Sequence, residues 1–196
     1  MRVLELIAVA FSLACVVLAA RRHIGTWPAG IVAVIAYFVV FIDAKLYADA
    51  SLQLVFLAQG IYGWLLWRRR GAAAAASPAI TTLTVNQRVL LAGVVIAASL
   101  AIGTGLSRYT DASRPLVDST VSVLSLAANW LLARRIIENW ALWLTADILY
   151  VGLFISKGLH ASALLYTVFL ALAIAGWRSW LRTVSKGARP TVGWAV

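Results

Sequence analysis

Asp147 is a carboxylate in the middle of an apolar run. Trp140, Trp143, Asp147, Tyr150 and Phe154 follow at intervals of 3, 4, 3 and 4 residues, the spacing that lines one face of an α-helix. A single carboxylate among aromatic rings suits a flat cationic ligand. The rings stack on it or attract it through their π faces, and the carboxylate supplies charge or binds hydroxyls. The competing readings are interfacial anchoring for Trp140 and Trp143, and a bond to another helix for Asp147. Gln59 lies three residues before Tyr62, so both can face one way, and a Gln side chain can donate to and accept from an amide or a hydroxyl. Asn129, beside Trp130, is open to the same two readings, ligand contact or interhelical bond. Gln53, nearer a span end, favours the interhelical bond.

What must position these residues is a membrane protein. The chain has 196 residues, of which 63% are hydrophobic and 12% charged, and its mean hydropathy is +0.90. A soluble domain is closer to half apolar and a quarter charged. This composition excludes a soluble cytosolic enzyme, a secreted disulfide scaffold and a disordered chain. The apolar residues come in unbroken runs rather than alternating with polar ones, which excludes a β-barrel. One Cys and two His cannot form an internal disulfide or a metal cluster. The sequence contains no GxxxxGK[ST], HExxH, GxSxG or CxxC motif. No catalytic residue, cofactor or metal is expected. A membrane enzyme acting on a lipid would need Ser, His or a metal, which these residues barely supply.

Seven spans are expected over 2–20, 27–43, 50–67, 88–106, 116–133, 139–156 and 160–181. The first also resembles a signal peptide, since Arg2 precedes an apolar run, but the repeat described next argues for retaining it. The net charge is +10. Twelve of the 17 Lys and Arg fall on one side, in the 1–2, 3–4 and 5–6 loops and the tail, and five on the other. Such loop charges set topology and meet lipid headgroups; no nucleic-acid partner is expected. The positive-inside rule then puts the N-terminus outside and the C-terminus in the cytoplasm. Gly71–Pro78 reads as a low-complexity linker, and Asp43, Lys45 and Asp49 as residues of the outer 2–3 loop. The chain beyond Lys186 reads as a flexible tail.

The sequence repeats itself. Displaced by 113 residues, 12–67 matches 125–180 at 26 of 56 positions without a gap. Trp27 falls on Trp140, Tyr37 on Tyr150, Gly63-Trp64 on Gly176-Trp177, Trp67 on Trp180 and Arg21-Arg22 on Arg134-Arg135. Spans 1–3 therefore recur as spans 5–7, with span 4 alone between them. The odd span restores direction, so the halves are parallel and related by an axis along the membrane normal, with a ligand path expected between them. The candidate polar groups break the symmetry: Asp147 corresponds to Val34, Gln59 to Leu172, Asn129 to Val16 and Gln53 to Tyr166. Gly63 and Gly176 permit close approach of a neighbour. Trp64, Trp67, Trp177 and Trp180 fit an aromatic belt, and Gly158 a short turn.

Several motifs carry a family resemblance. Leu46-Tyr47-Ala48-Asp49-Ala50-Ser51-Leu52-Gln53 leads to Tyr62-Gly63-Trp64-Leu65-Leu66-Trp67. The second half holds Glu138-Asn139-Trp140-Ala141-Leu142-Trp143, Asp147, Tyr150, Lys157-Gly158-Leu159 and Gly176-Trp177-Arg178-Ser179-Trp180. Over nearly the whole chain this resembles the PnuC family of bacterial vitamin transporters. The resemblance implies an all-α, seven-span, 3+1+3 parallel-repeat fold, SWEET-like in layout, in the bacterial inner membrane. It implies import of nicotinamide riboside by facilitated diffusion, drawn forward by a cytosolic kinase, possible trimers, and Asn139, Trp64 and Trp177 on the substrate path. The alternatives are thiamine or a flavin precursor as cargo, or a non-transporting partner subunit. The chain divides into a first bundle (1–70), a linker with the central helix (71–112), a second bundle (113–182) and a tail (183–196).

Overall fold

The computed structural model describes residues 2–73, 79–109, 114–156 and 158–185. These form α1 (Arg2–Ala20), α2 (Thr26–Asp43), α3 (Tyr47–Ala73), α4 (Val85–Tyr109), α5 (Pro115–Ala133), α6 (Asn139–Ser156) and α7 (His160–Val184). All seven contain a stretch long and apolar enough to cross a bilayer. The differences from the expected spans lie at helix ends. α3 continues to Ala73, so the stretch expected as a linker from Gly71 begins as helix; alanine is the best helix former and outweighs one glycine. Tyr47 and Asp49, expected in a loop, occupy the first turn of α3, where a carboxylate complements the unpaired N–H groups. α4 begins at Val85, three residues before the expected span, so Arg88 lies in its first turn. The remainder of the expected linker up to Pro78, Lys157 and the tail from Lys186 lie outside the described residues.

Four short turns join the helices within each half. Arg22, Lys45, Arg135 and Gly158 have φ of 58°, 58°, 61° and 70°. In every case the left-handed residue donates its N–H three residues back, and the next residue donates five back. This pairing satisfies the last carbonyls of a helix and reverses the chain tightly. Gly158 adopts it freely, whereas the other three residues carry a side chain there.

Helix packing runs α1–α2–α3 and α5–α6–α7, and the two rows meet at α3–α5 and α1–α7. Six helices therefore close a ring. α4 packs on α5 from outside and turns Val89, Leu90, Val94, Ile96 and Leu100 outward, where lipid receives them.

One end of the ring is shut by indoles. Trp27, Trp67, Trp140 and Trp180 are buried in a single cluster that draws on both rows. Trp27 meets Trp67 edge-on at 5.5 Å, and Trp140 meets Trp180 edge-on at 5.7 Å. Gly63 and Gly176 make the slots for them: a Cβ at either would stand 2.4 Å from the ring of Trp27 or Trp140. Trp67 Nε1 donates to the Ala133 carbonyl at 2.9 Å, and Trp180 Nε1 to the Ala19 carbonyl at 3.1 Å. The third helix of each row is thereby bonded to the first helix of the other. Trp67, Trp140 and Trp180 are thus core residues rather than belt anchors, because glycine slots and carbonyl acceptors take them inward. Arg135, itself buried, lies over the Trp67 ring at 4.1 Å.

An extended segment before α4 crosses this same end. Thr81 forms a parallel bridge with Ile136, donating to the Arg135 carbonyl at 3.1 Å and accepting from the Ile137 N–H at 3.0 Å.

Candidate functional site: a polar chamber within the ring

Asp147 sits at the midpoint of α6, 5% exposed. Its carboxylate has no hydrogen-bond or ion-pair partner among the described residues, so the interhelical bond weighed for it from the sequence is not made. A carboxylate in that position is costly in hydrocarbon and marks a functional interior.

The groups around it come from every helix of the ring. Tyr150 lies within electrostatic reach of Asp49 on α3, Asp118 on α5 and Asp147. Tyr166 on α7 is similarly placed to Tyr150, Asp147 and Tyr37 on α2. Tyr37 in turn faces Ser12 and Glu5 on α1. Asp147 is buried and Tyr37, Asp118, Tyr150 and Tyr166 are half-buried, whereas Glu5 and Asp49 are exposed, so the group forms a polar chamber in the ring with its open side at Glu5 and Asp49. It opens away from the indole cluster, toward the end where α3 and α5 begin.

Aromatic rings wall this chamber. Tyr150 stacks on Phe154 at 5.7 Å and lies 4.3 Å from Tyr166, which is also 5.3 Å from Phe154 and 5.7 Å from Phe169. Tyr37 and Phe41 form the corresponding stack on the other row at 5.8 Å. One unpaired carboxylate beside π faces attracts a flat cation and hydrogen-bonds hydroxyls. A neutral, wholly apolar ligand would leave the carboxylate unsatisfied.

The other expected residues are elsewhere. Gln59 and Asn129 meet at the α3–α5 seam: Asn129 Nδ2 donates to Gln59 Oε1 at 3.0 Å, and Gln59 Nε2 to the Leu126 carbonyl at 3.2 Å. Tyr62 stacks on Trp130 there at 5.0 Å, with Arg134 4.6 Å above the Trp130 ring. Gln59 and Trp130 also border a crevice of about 400 Å³ between α3, α4 and α5, otherwise apolar, which lies outside the ring on the lipid side. Trp64, Trp143 and Trp177 pack half-buried against the indole cluster. Asn139 is fully buried at the start of α6 and donates to the Ile136 carbonyl at 2.6 Å. Thus only Asp147 and Tyr150 of the nine stand in the chamber group. Two chamber residues, Tyr166 and Asp118, escaped the sequence reading as site candidates, and Asp49 entered it only as a loop residue that could latch the outer entrance. The one available signal was Tyr166 opposite Gln53 in the repeat, a polar mismatch between two otherwise similar helices.

No group of three or more His, Cys, Asp or Glu suited to a metal occurs among the described residues. A ring of spanning helices around a polar, aromatic chamber is the architecture of a membrane carrier. The family model described as nicotinamide mononucleotide transporter matches residues 2–182, and the chain belongs to that family. The chain is 26% identical to the nicotinamide riboside transporter PnuC of Escherichia coli, over 95% of this chain and 88% of that one. It is 28% identical to the protein of that name from Neisseria mucosa, over 92% and 72%. It is 27% identical to the riboflavin/roseoflavin transporter RibM of Streptomyces davaonensis, over 88% and 81%. A solved structure, the crystal structure of the vitamin B3 transporter PnuC, superposes with a TM-score of 0.75 at 25% identity, covering 93% of this chain and 82% of that one. The chain is therefore a multi-pass membrane transporter of the PnuC type.

Proposed function

We propose that this protein imports nicotinamide riboside across the bacterial inner membrane by facilitated diffusion. The observation that carries this reading is the unpaired Asp147 carboxylate beside Tyr150 and Tyr166. Nicotinamide riboside is a flat pyridinium with ribose hydroxyls, and its chemistry complements a carboxylate among rings. Asp147 binds the charge or a hydroxyl, while Tyr150 and, at the closed end, Trp143 provide walls. Gln59 and Asn129 form the polar contact at the seam that changes partner when the rows move. Tyr62, Trp64, Asn139 and Trp177 frame the route out.

The transporter alternates access by rocking α1–α3 against α5–α7, a 3+1+3 arrangement of parallel, SWEET-like repeats. Matching turns at Arg22/Arg135 and Lys45/Gly158, and matching Trp–Gly and Trp–Trp contacts, support the repeat. On this reading 1–70 and 113–182 are the two bundles, 71–112 carries the central helix, and the indole end is cytoplasmic with the N-terminus outside. A cytosolic kinase then traps the cargo. Trimers are the proposed assembly.

A second cargo is favoured by the RibM relative: riboflavin, a flat aromatic without the fixed cation. Thermal shift on detergent-purified protein separates the cargoes, using nicotinamide riboside, nicotinamide, nicotinamide mononucleotide, thiamine and riboflavin. A saturating ligand at 100 times its Kd adds about 2.7 kcal/mol. Stabilisation by nicotinamide riboside, reduced in Asp147→Asn, is the expected result. Stabilisation by riboflavin or thiamine alone would overturn the cargo.

A further inference from the structure

Residues 79–84 belong to neither row of helices, yet two of their side chains are as buried as the core. Ile80 is 5% exposed and Leu83 4%. Three positions apart on an extended segment, they point to opposite faces. Ile80 enters the indole cluster shared by both rows. Leu83 packs instead with Leu131 and Ile136, against Leu91 of α4 and Leu142 of α6. The polar contacts lie with Leu83. Thr81 bridges the 5–6 turn at Ile136, and the Leu83 N–H donates to Glu138 Oε1 at 3.1 Å. The same oxygen accepts from Arg88 Nε at 3.0 Å and Nη2 at 2.8 Å.

Among the described residues the first row has no equivalent anchor. In the register of the internal repeat, Glu138 corresponds to Gly25 and Ile136 to His23. There the Gly25 N–H donates to His23 Nδ1 at 3.1 Å, so that turn is closed by its own side chain. The segment is thus fastened to one row while its apolar tip, Ile80, is buried in the cluster that both rows build.

We propose that residues 79–84 form a strap that holds the indole gate shut, fastened to the second row by Glu138 and Arg88, with Ile80 as the wedge. The inference rests on the alternating-access reading. Release at this end requires the rows to part, which breaks the Trp67–Ala133 and Trp180–Ala19 bonds and strips Ile80 of the first-row half of its cluster. The strap therefore sets how often the gate opens, not what the chamber binds. Because it grips one row only, the gate resists opening through a contact that the internal repeat does not duplicate.

Ala173, 2% exposed in the same cluster, reports on the gate when changed to cysteine. An Ala173→Cys protein in a Cys15→Ala background is labelled with a membrane-impermeant maleimide added to the vesicle face that bears the strap. Ile80→Ala raises the labelling rate on the order of tenfold, because the closed population loses a buried wedge. Glu138→Ala raises it in the same direction and carries the test should Ile80→Ala not fold. Labelling that stays unchanged in proteins retaining a cooperative melt overturns the strap. Labelling that rises equally from both faces also overturns it, since that is general loosening. The readout needs no substrate: failure of nicotinamide riboside to move would sink the transport reading and leave the labelling result standing.

Discussion

A single unpaired carboxylate and two glycines carry much of the chemistry and the packing. On the proposed reading Asp147 meets a cation through charge, so Asp147→Asn keeps the shape of the side chain and removes the attraction. The expected loss is about 2 kcal/mol of ligand binding, within the range of charge-assisted contacts, with no fall in the melting temperature of the unliganded protein, since a costly unpaired charge is removed. Titration calorimetry checks it; equal affinity in the variant would remove Asp147 from the site. Gly63 and Gly176 act through what they lack. A methyl group at either meets an indole at 2.4 Å, and overpacking of this kind costs about 1–3 kcal/mol. Gly63→Ala and Gly176→Ala should each lower the melting temperature, by similar amounts. Unchanged stability in either would mean that the indole slides aside at no cost.

At the scale of elements, turns and caps explain why short loops suffice. Lys45 and Gly158 occupy equivalent left-handed positions, but only Gly158 does so without a Cβ penalty. Lys45→Gly should therefore stabilise by about 1 kcal/mol, the cost of a side chain in that region, and a drop in melting temperature would show that the Lys45 side chain has a role of its own. Trp67 and Trp180 each donate one bond across the rows. Trp67→Phe should destabilise by about 1 kcal/mol or more, since it takes the Nε1 donor from the buried Ala133 carbonyl, and Trp180→Phe by less, since the Ala19 carbonyl still accepts from the Arg22 N–H. A larger effect at Trp180 than at Trp67 would mean that the crossed bonds stabilise the closed end in some other way than by satisfying these carbonyls.

The helices themselves were legible because hydropathy over 17 or more residues leaves few alternatives, and the repeat was legible because Trp and Gly-Trp coincidences do not arise from apolar composition. The inward Trp residues were not. A hydropathy window is blind to rotation about the helix axis, and an indole suits both an interface and a core, so the sequence alone favours an interfacial anchor for Trp140, which the structure buries. The strap was missed because Ile80 and Leu83 are isolated apolar residues in a threonine-rich stretch. Their burial depends on backbone pairing with a turn more than fifty residues away, and no local pattern encodes that. For the site, the mid-span position of Asp147 was readable. The aromatic stripe on α6 divides in space: Trp140 and Trp143 join the closed end while Tyr150 and Phe154 wall the chamber. The 3–4 spacing gives a shared face but not a shared depth.

For the whole molecule, the ring joins these scales. Two rows meet at two seams, α3–α5 and α1–α7, and on the proposed alternating-access reading the crossed Trp bonds that stabilise the closed end are given up to release a cargo. The chamber on the other side holds the carboxylate and the rings, and its apolar exterior is matched to lipid. The central claim is that Asp147 in this chamber handles a flat cationic vitamin precursor during transport. Counterflow of labelled nicotinamide riboside into proteoliposomes tests it most directly. The account predicts accumulation with the native protein and a rate lower by on the order of tenfold with Asp147→Asn, the factor that corresponds to a loss of about 1.4 kcal/mol. Native protein that does not exchange nicotinamide riboside, or a variant that exchanges it at the native rate, would contradict the claim.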